Sequence, residues 1–430
     1  MNYKNRLLRS IPGGAHTYSR GYDQFPSNAP QILKRGEGAY IYDERDNKFL
    51  DYGMALRAVN LGYANKEINK AAFKQMEFGN SLTRASLVEL EAAELLIDLI
   101  DSVDMVKFTK TGSAATSAAV KLSRAYTGRN LVARCEDHPF FSYDDWFISS
   151  TPIKKGISTN ETNETKLFNY NDISSLEKLF DKFPNEISCV ILEPASTEHP
   201  KDNFLHKVKE LCLINGAVFI LDEMITGFRW GLKGAQSYYN IEADLCTFGK
   251  AMANGFSVSA VAGKREIMEL GSIEKEGQER LFLLSTTHGA EMNSLAAFIA
   301  TVNFLKAHDV VNHMWNYGKN LIDLINGIAK DFGIENNFMA AGVECSPYYL
   351  TFDKDGQNSL GLRTLFSQEM IKNGVLMPWI ALSYAHGEKE LEITKIALEK
   401  TFEVYKKAVD EGYEKSLIGD VIKPVFRKYN

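Results

Sequence analysis

Three short segments hold residues that can do chemistry. In "AVFILDEMITGFRWG", Ala217 to Gly231, an apolar run leads straight into Asp222 and Glu223. An unbroken apolar run suits a parallel strand covered on both faces, and ligands of open α/β folds bind at the carboxyl ends of such strands. In "DLCTFGKAMANGF", Asp244 to Phe256, Lys250 follows a second apolar run and a glycine. An acid and a lysine at two strand ends can converge on one crevice. The third segment, "TKTGSAATSAAV", sets Thr111, Gly112 and Ser113 between a strand and a helix of small residues. Free amides and the dipole at such a helix start bind phosphate. It is not a Walker loop, because G-x-x-x-x-G-K is absent.

Taken singly, a strand-end lysine is commonly a surface residue and a Thr-Gly-Ser turn an ordinary cap. Together with Asp222 they match the needs of pyridoxal phosphate: a lysine for its aldehyde, an anion site, and a carboxylate facing its ring nitrogen. Asp222 would keep that nitrogen protonated through a charge-assisted hydrogen bond. Lys250 would bond to the cofactor and later act as general base. An ordinary lysine, with a pKa of about 10.4, is almost wholly charged at pH 7, so burial or a nearby cation must favour its neutral amine. No His or Cys cluster with ligand spacing lies near Asp222, so no metal site is expected.

The elements that must position these residues are legible as alternating patterns. Apolar runs at 105–109, 131–135, 189–194, 217–223, 245–250 and 258–263 alternate with helical periodicity. They imply an α/β fold with a mainly parallel, doubly wound sheet. Ser86 with Glu89 opens a helix as a capping box, and Gly128 ends the helix that follows Ser113. Beyond about residue 310, long helical patterns flank a possible strand at 347–352, which reads as a separate α+β unit. The expected division is an N-terminal segment 1–60 joining a small domain, a cofactor domain 61–310, and a small domain 311–430. The polar stretch 154–172 reads as one long loop.

The chain has 430 residues, 49 Lys and Arg against 55 Asp and Glu, and a net charge of −6. That leaves no basic footprint for nucleic acid. No run approaches the roughly 18 apolar residues of a membrane span, and no signal peptide is apparent, so a cytoplasmic protein acting on small molecules is expected. Cysteines 135, 189, 212, 246 and 345 form no CxxC pair and read as reduced structural thiols. The sequons at Asn160 and Asn163 imply a surface loop without implying glycosylation.

Nearly the whole chain resembles the class III pyridoxal-phosphate aminotransferases, and among them the glutamate-1-semialdehyde aminomutases. "SIPGG", "RGEGAYIYDERDNKFLDY", "KLSRAYTGR", "ILEP", "LDEMITGFR" and "FGKAMANGF" occur in that family's order. The resemblance implies a fold type I large domain with a smaller α+β domain. It implies that Lys250 and Asp222 are catalytic and that Thr111, Gly112 and Ser113 hold the phosphate. Thr287 would reach the phosphate of a neighbouring subunit, making a homodimer with active sites at its interface; otherwise Thr287 is a buried strand-end residue. Phe140 would stack on the cofactor ring, with His138 second, unless Phe140 is packed core.

The chain departs from the family at several points. Lys110 and Ala114 replace an amide and an acid in the phosphate loop. The "EP" motif continues as "ASTEHP" where the family has V-x-G-N, so Ser196 or Thr197 is the expected hydrogen-bonding partner near the cofactor's hydroxyl. Arg20 and His16 match a substrate-binding segment, and Arg57 beside Leu56 replaces a small residue; arginine forks suit carboxylate or phosphate. Pro378, next to Trp379, stands about where the aminomutases carry an acid. The reaction implied is amino transfer from an amino donor to a carbonyl acceptor, sugar-derived or otherwise polyhydroxylated. The rivals are an intramolecular aminomutase and a non-catalytic binding or regulatory protein of the same fold.

Overall fold

The computed structural model describes residues 2–159, 161–289 and 291–430. The chain divides into two compact units, Met1–Asn65 with Asn312–Asn430, and Lys66–Val311.

The first unit opens with the helix Tyr3–Ser10 and an antiparallel meander of β1 (Leu33–Glu37), β2 (Tyr40–Asp43) and β3 (Lys48–Asp51). Asp43 makes the turn between β2 and β3. Its carboxylate accepts from the Arg45 and Asn47 amides at 2.9 and 2.8 Å, which steadies Asp46 at φ +63°.

The second unit carries the large sheet. Its strands are β4 (Met105–Thr109), β5 (Leu131–Cys135), β6 (Thr165–Phe168), β7 (Ile187–Leu192), β8 (Val218–Glu223), β9 (Leu245–Phe248) and β10 (Ser259–Gly263). They lie in the order β4-β10-β9-β8-β7-β5-β6. The strands from β9 to β6 pair in parallel, and β10 runs antiparallel to both β9 and β4. Every residue of β7, β8, β9 and β10 is buried, which is why these segments read as continuous apolar runs. The helix Leu87–Leu99 starts at the Ser86–Glu89 capping box, and Gly112–Thr127 stops at Gly128 with φ +69°, where glycine avoids the Cβ clash.

The stretch 154–172 is not one loop. It contains β6, paired in parallel with β5 at the edge of the sheet. Only Thr165 and Phe168 of this strand are buried, so its composition does not betray it. Asn163 is exposed on the turn before β6, and Asn160 lies outside the described residues.

In the first unit, β11 (Phe338–Val343) and β12 (Ser346–Thr351) form a hairpin, and β13 (Val375–Leu376) pairs in parallel with β3. The strand expected at 347–352 is β12. Its partner β11 carries no strong signal because Ala340, Ala341 and Gly342 have little strand propensity. The helices Leu360–Lys372 and Glu388–Glu411 belong to the same unit. All five cysteines are buried and free. Among the described residues there is no metal-ligand cluster, and no single helix is long and apolar enough to cross a membrane.

Candidate active site

The pairing of β8 with β9 sets Asp222 opposite Thr247. Asp222 is 2% exposed, and its Oδ1 accepts from the Thr247 hydroxyl at 2.8 Å and the Met224 amide at 3.0 Å. Burial pushes its carboxyl above the usual range, while the charge of Lys250 and these two hydrogen bonds oppose that rise. Lys250 therefore stands within Coulombic reach of Asp222, as two strand-end groups should. It opens the tight helical turn Lys250–Ala253 at φ +39°. A non-glycine residue held in that region is strained, and such strain gathers at functional sites.

At the end of β4 the chain enters the helix Gly112–Thr127. Thr111 caps it, its hydroxyl oxygen accepting from the Ala114 amide at 3.2 Å. The first intrahelical bond runs from the Ala115 amide to the Thr111 carbonyl, so the Gly112 and Ser113 amides precede the ladder and point out of the helix start. The Ser113 hydroxyl is buried and accepts from the Tyr143 amide at 3.1 Å. Lys110, beside this loop, is ion-paired with Glu291, whose carboxyl it holds below the usual range.

The three motifs meet at Met224. A Cβ on Gly112 would lie 2.8 Å from the Met224 sulfur, and one on Gly249 would lie 2.6 Å from it and 2.7 Å from Ser259 Oγ. A side chain at either position would force the Met224 side chain to move. The phosphate-type loop, the strand end carrying Asp222 and the strand end carrying Lys250 are thereby drawn around one side chain.

Phe140 is 45% exposed, with its ring 5.5 Å from that of Phe147, so it is not a core residue. Its loop is tied to the helix start by the Thr116 hydroxyl, which donates to the Phe141 carbonyl at 2.8 Å. His138 is buried. Its Nδ1 accepts from the Glu193 amide at 2.9 Å, and burial pushes its pKa down to about 3, so the ring is neutral with its proton on Nε2. That nitrogen has no hydrogen-bond partner among the described residues. Ser196 is half-buried and Thr197 exposed. Thr287 is exposed in a turn, which removes the reading of a buried strand-end residue.

Glu223 has a structural task that its position in the Asp-Glu pair only hinted at. It is fully buried and accepts from the Thr226 hydroxyl and from the Ala235 and Gln236 amides, both at 2.9 Å. It therefore pins the turn that follows Asp222.

In the first unit Arg20 and His16 are exposed on the N-terminal segment. Arg20 lines a cleft of about 690 Å³ with Tyr22, Phe25, Asp51, Tyr63 and Trp379; His16 and Arg57 lie outside its lining. Asp51 is buried at the cleft floor, taking the Gly53 and Met54 amides at 2.7 and 3.0 Å and the Tyr63 hydroxyl at 2.6 Å. These bonds hold the start of a left-handed turn in which Met54, Ala55, Leu56 and Arg57 have φ of +37°, +49°, +62° and +69°. Arg57, half-buried, closes that turn.

Comparison with known proteins gives one consistent result. The family model described as aminotransferase class-III matches residues 18–336. A glutamate-1-semialdehyde 2,1-aminomutase of Francisella philomiragia is 30% identical, covering 92% of this chain and 95% of its own. One of Wigglesworthia glossinidia brevipalpis is 31% identical, covering 93% and 96%. Among solved structures, an omega-transaminase from Sphaerobacter thermophilus has a TM-score of 0.81 at 23% identity, covering 93% and 96%. A glutamate-1-semialdehyde-aminomutase from Pseudomonas aeruginosa has a TM-score of 0.81 at 19% identity, covering 93% of each chain. These likenesses establish the fold type I architecture.

Proposed function

The chain belongs to the class III aminotransferases, and from that premise we propose that it moves an amino group between a small amino donor and a carbonyl acceptor on pyridoxal phosphate. The observation that carries this reading is the closure of Gly112 and Gly249 on Met224, which gathers an anion-binding helix start, a buried acid and a lysine. A helix start with outward amides, a buried carboxylate and a lysine within Coulombic reach of it are the groups this cofactor needs. Pyridoxal phosphate, when bound, supplies an aldehyde to receive the amino group and a ring that withdraws electrons from the bond being broken.

The remaining work falls to the chain. Asp222 holds the proton of the ring nitrogen; a buried carboxyl raised by desolvation becomes a strong anion once a cation faces it. Thr247 and the Met224 amide fix that carboxylate through Oδ1, leaving its other oxygen for the ring nitrogen. Lys250 holds the resting cofactor, and its Nζ takes and returns the proton at the substrate carbon. The Gly112 and Ser113 amides, with the Thr111 hydroxyl, hold the phosphate at the positive end of the helix dipole. Phe140 stacks on the ring. Thr287 serves the phosphate held by a second copy, so the protein works as a homodimer, in the cytoplasm. Substrate binding is assigned to Arg20, His16 and Arg57, of which Arg20 lines the cleft of the first unit and suits an acidic group.

A second reading, intramolecular amino transfer, is favoured by the 30% and 31% identical aminomutase relatives. The test is spectroscopic. Cofactor-loaded protein is mixed with single amino donors and then with single aldehydes or ketones. Reversible loss and return of the cofactor's visible-edge absorbance supports transfer between two substrates. Conversion of glutamate-1-semialdehyde to 5-aminolevulinate without added donor, at about 1 per second or faster, selects the aminomutase. No absorbance change with any donor refutes transfer between two substrates, and no conversion of glutamate-1-semialdehyde refutes the aminomutase.

A further inference from the structure

We infer that Lys110 and Glu291 form a clamp that fastens the turn bearing Thr287 to the phosphate loop of its own chain, and that this clamp sets how firmly a phosphate group is held. The inference rests on the functional reading, which gives Thr287 to the phosphate of a second copy; the new element is what keeps Thr287 in place.

The clamp joins segments of the second unit that are far apart in sequence. The helix Met292–Ala307 follows the turn and is a firm anchor. Its Leu295, Phe298 and Val302 are fully buried, and the Phe298 ring lies 6.1 Å from that of Phe108 in β4. Asn80 takes the first two amides of this helix, Met292 through its carbonyl at 3.0 Å and Asn293 through Oδ1 at 2.9 Å. The helix start therefore makes no demand on the Glu291 carboxylate. That carboxylate reaches outward instead: Oε1 accepts from Asn80 Nδ2 at 2.7 Å, and Oε2 is paired with Lys110. Lys110 directly precedes Thr111, and its own carbonyl accepts from the Ser257 hydroxyl at 2.8 Å.

The turn is held on its other side too. Lys121, in the helix that the phosphate loop opens, donates to the Phe282 carbonyl at 2.6 Å. A Cβ on Gly289 would lie 3.7 Å from the Phe108 carbonyl oxygen, so the turn lies close against the end of β4. The two tethers differ in worth. Lys121 and Phe282 are exposed, and water competes for such a bond. The Lys110 and Glu291 side chains are only 28% and 25% exposed, and a charge-assisted pair shielded from water is stronger. The Lys110 pair is therefore the tether that should matter.

A rival role for Lys110 is that of a bare cation for the phosphate, and the two roles predict opposite signs for loss of Glu291. By charge alone, removing an acid beside the anion site and releasing Lys110 from it would tighten phosphate binding. If Glu291 belongs to a clamp, its removal loosens Thr287 and weakens phosphate binding.

The experiment is calorimetric titration of the full-length, cofactor-free protein with pyridoxamine 5'-phosphate and with pyridoxamine, joined to amide hydrogen exchange. Glu291→Ala should bind pyridoxamine 5'-phosphate about tenfold more weakly than the wild type and leave the affinity for pyridoxamine, which lacks the phosphate, unchanged. Exchange over residues 282–289 should quicken in Glu291→Ala and stay the same in the strands of the large sheet, which excludes a folding defect. Thr287→Val should also weaken phosphate binding, and the double variant should lose no more than the worse single one, since Glu291 acts through Thr287. Tighter phosphate binding in Glu291→Ala, unchanged exchange over 282–289, or additive losses in the double variant would overturn the inference. Amino transfer by a protein whose phosphate binding is indifferent to Glu291→Ala defeats this inference alone. The clamp's signature in a protein that transfers no amino group defeats the functional reading and leaves the clamp standing.

Discussion

Thr247 donates its hydroxyl to Asp222 Oδ1 across 2.8 Å, from the position directly opposite in the pairing of β9 with β8. The sheet itself therefore sets the orientation of the acid. A carboxylate held through one oxygen presents the other in a fixed direction, which is what a protonated ring nitrogen requires.

Replacing the acid and replacing its holder should accordingly differ in degree. Asp222→Asn is expected to lower turnover by about a hundredfold or more, because the amide cannot stabilise the ring cation. Thr247→Val should cost about tenfold, the worth of one buried hydrogen bond to a charged group. Both variants should still bind the cofactor through its phosphate. Steady-state rates and cofactor absorbance of the purified variants check this; wild-type turnover in Asp222→Asn refutes it.

Gly112→Ala should weaken cofactor retention, since its Cβ would come 2.8 Å from the Met224 sulfur. Shortening the obstructing side chain is the control. Met224→Ala in the same protein should restore part of the affinity, and dialysis against cofactor-free buffer measures it. Equal losses in the single and double variants would break the link drawn between the two motifs.

The acid limb of stability should carry the signature of two neutral, buried histidines. Burial lowers the pKa of His138 to about 3 and that of His386 to about 4, from 6.5. Above about pH 6.5 each is neutral folded or unfolded, and its contribution is fully present. As pH falls below that, the unfolded chain binds a proton the fold refuses, and stability is lost until the folded pKa is passed. Each histidine should contribute a slope of about 1.4 kcal/mol per pH unit between roughly pH 6 and its folded pKa. Urea unfolding of His138→Asn at several pH values should show a slope smaller by that amount. An unchanged slope contradicts a neutral His138.

The left-handed turn at Met54 to Arg57 should be measurably strained. Ala55→Gly removes a Cβ at φ +49° and should stabilise the protein by about 1 kcal/mol, whereas Ala55→Val should destabilise it. Thermal unfolding of the two variants reads the difference, and equal effects would remove the claim of strain.

How much of this was legible in the sequence depends on the residue. The strands β7, β8 and β9 were readable because burial on both faces makes their apolar runs unbroken, and Asp222 and Lys250 stand out as polar endings to such runs. The capping signals at Ser86 and Gly128 are local and survive in the fold. What was hidden is non-local. The edge strand β6 buries only two of its residues, Thr165 and Phe168, and β11 has Ala340, Ala341 and Gly342 at its centre. The role of Met224 between Gly112 and Gly249 cannot be seen until three distant segments meet. Nor does any pattern announce that Phe25 and Trp379, far apart in the chain, bring their rings within 6.4 Å of each other.

The central claim is that Lys250 carries the cofactor beside Asp222. Borohydride reduction of the cofactor-loaded protein, followed by proteolysis and mass spectrometry, tests it most directly. The expected result is one modified peptide, with the cofactor's mass on Lys250, and none in Lys250→Ala. Modification at another lysine, or no modification in protein that visibly holds the cofactor, would contradict the account.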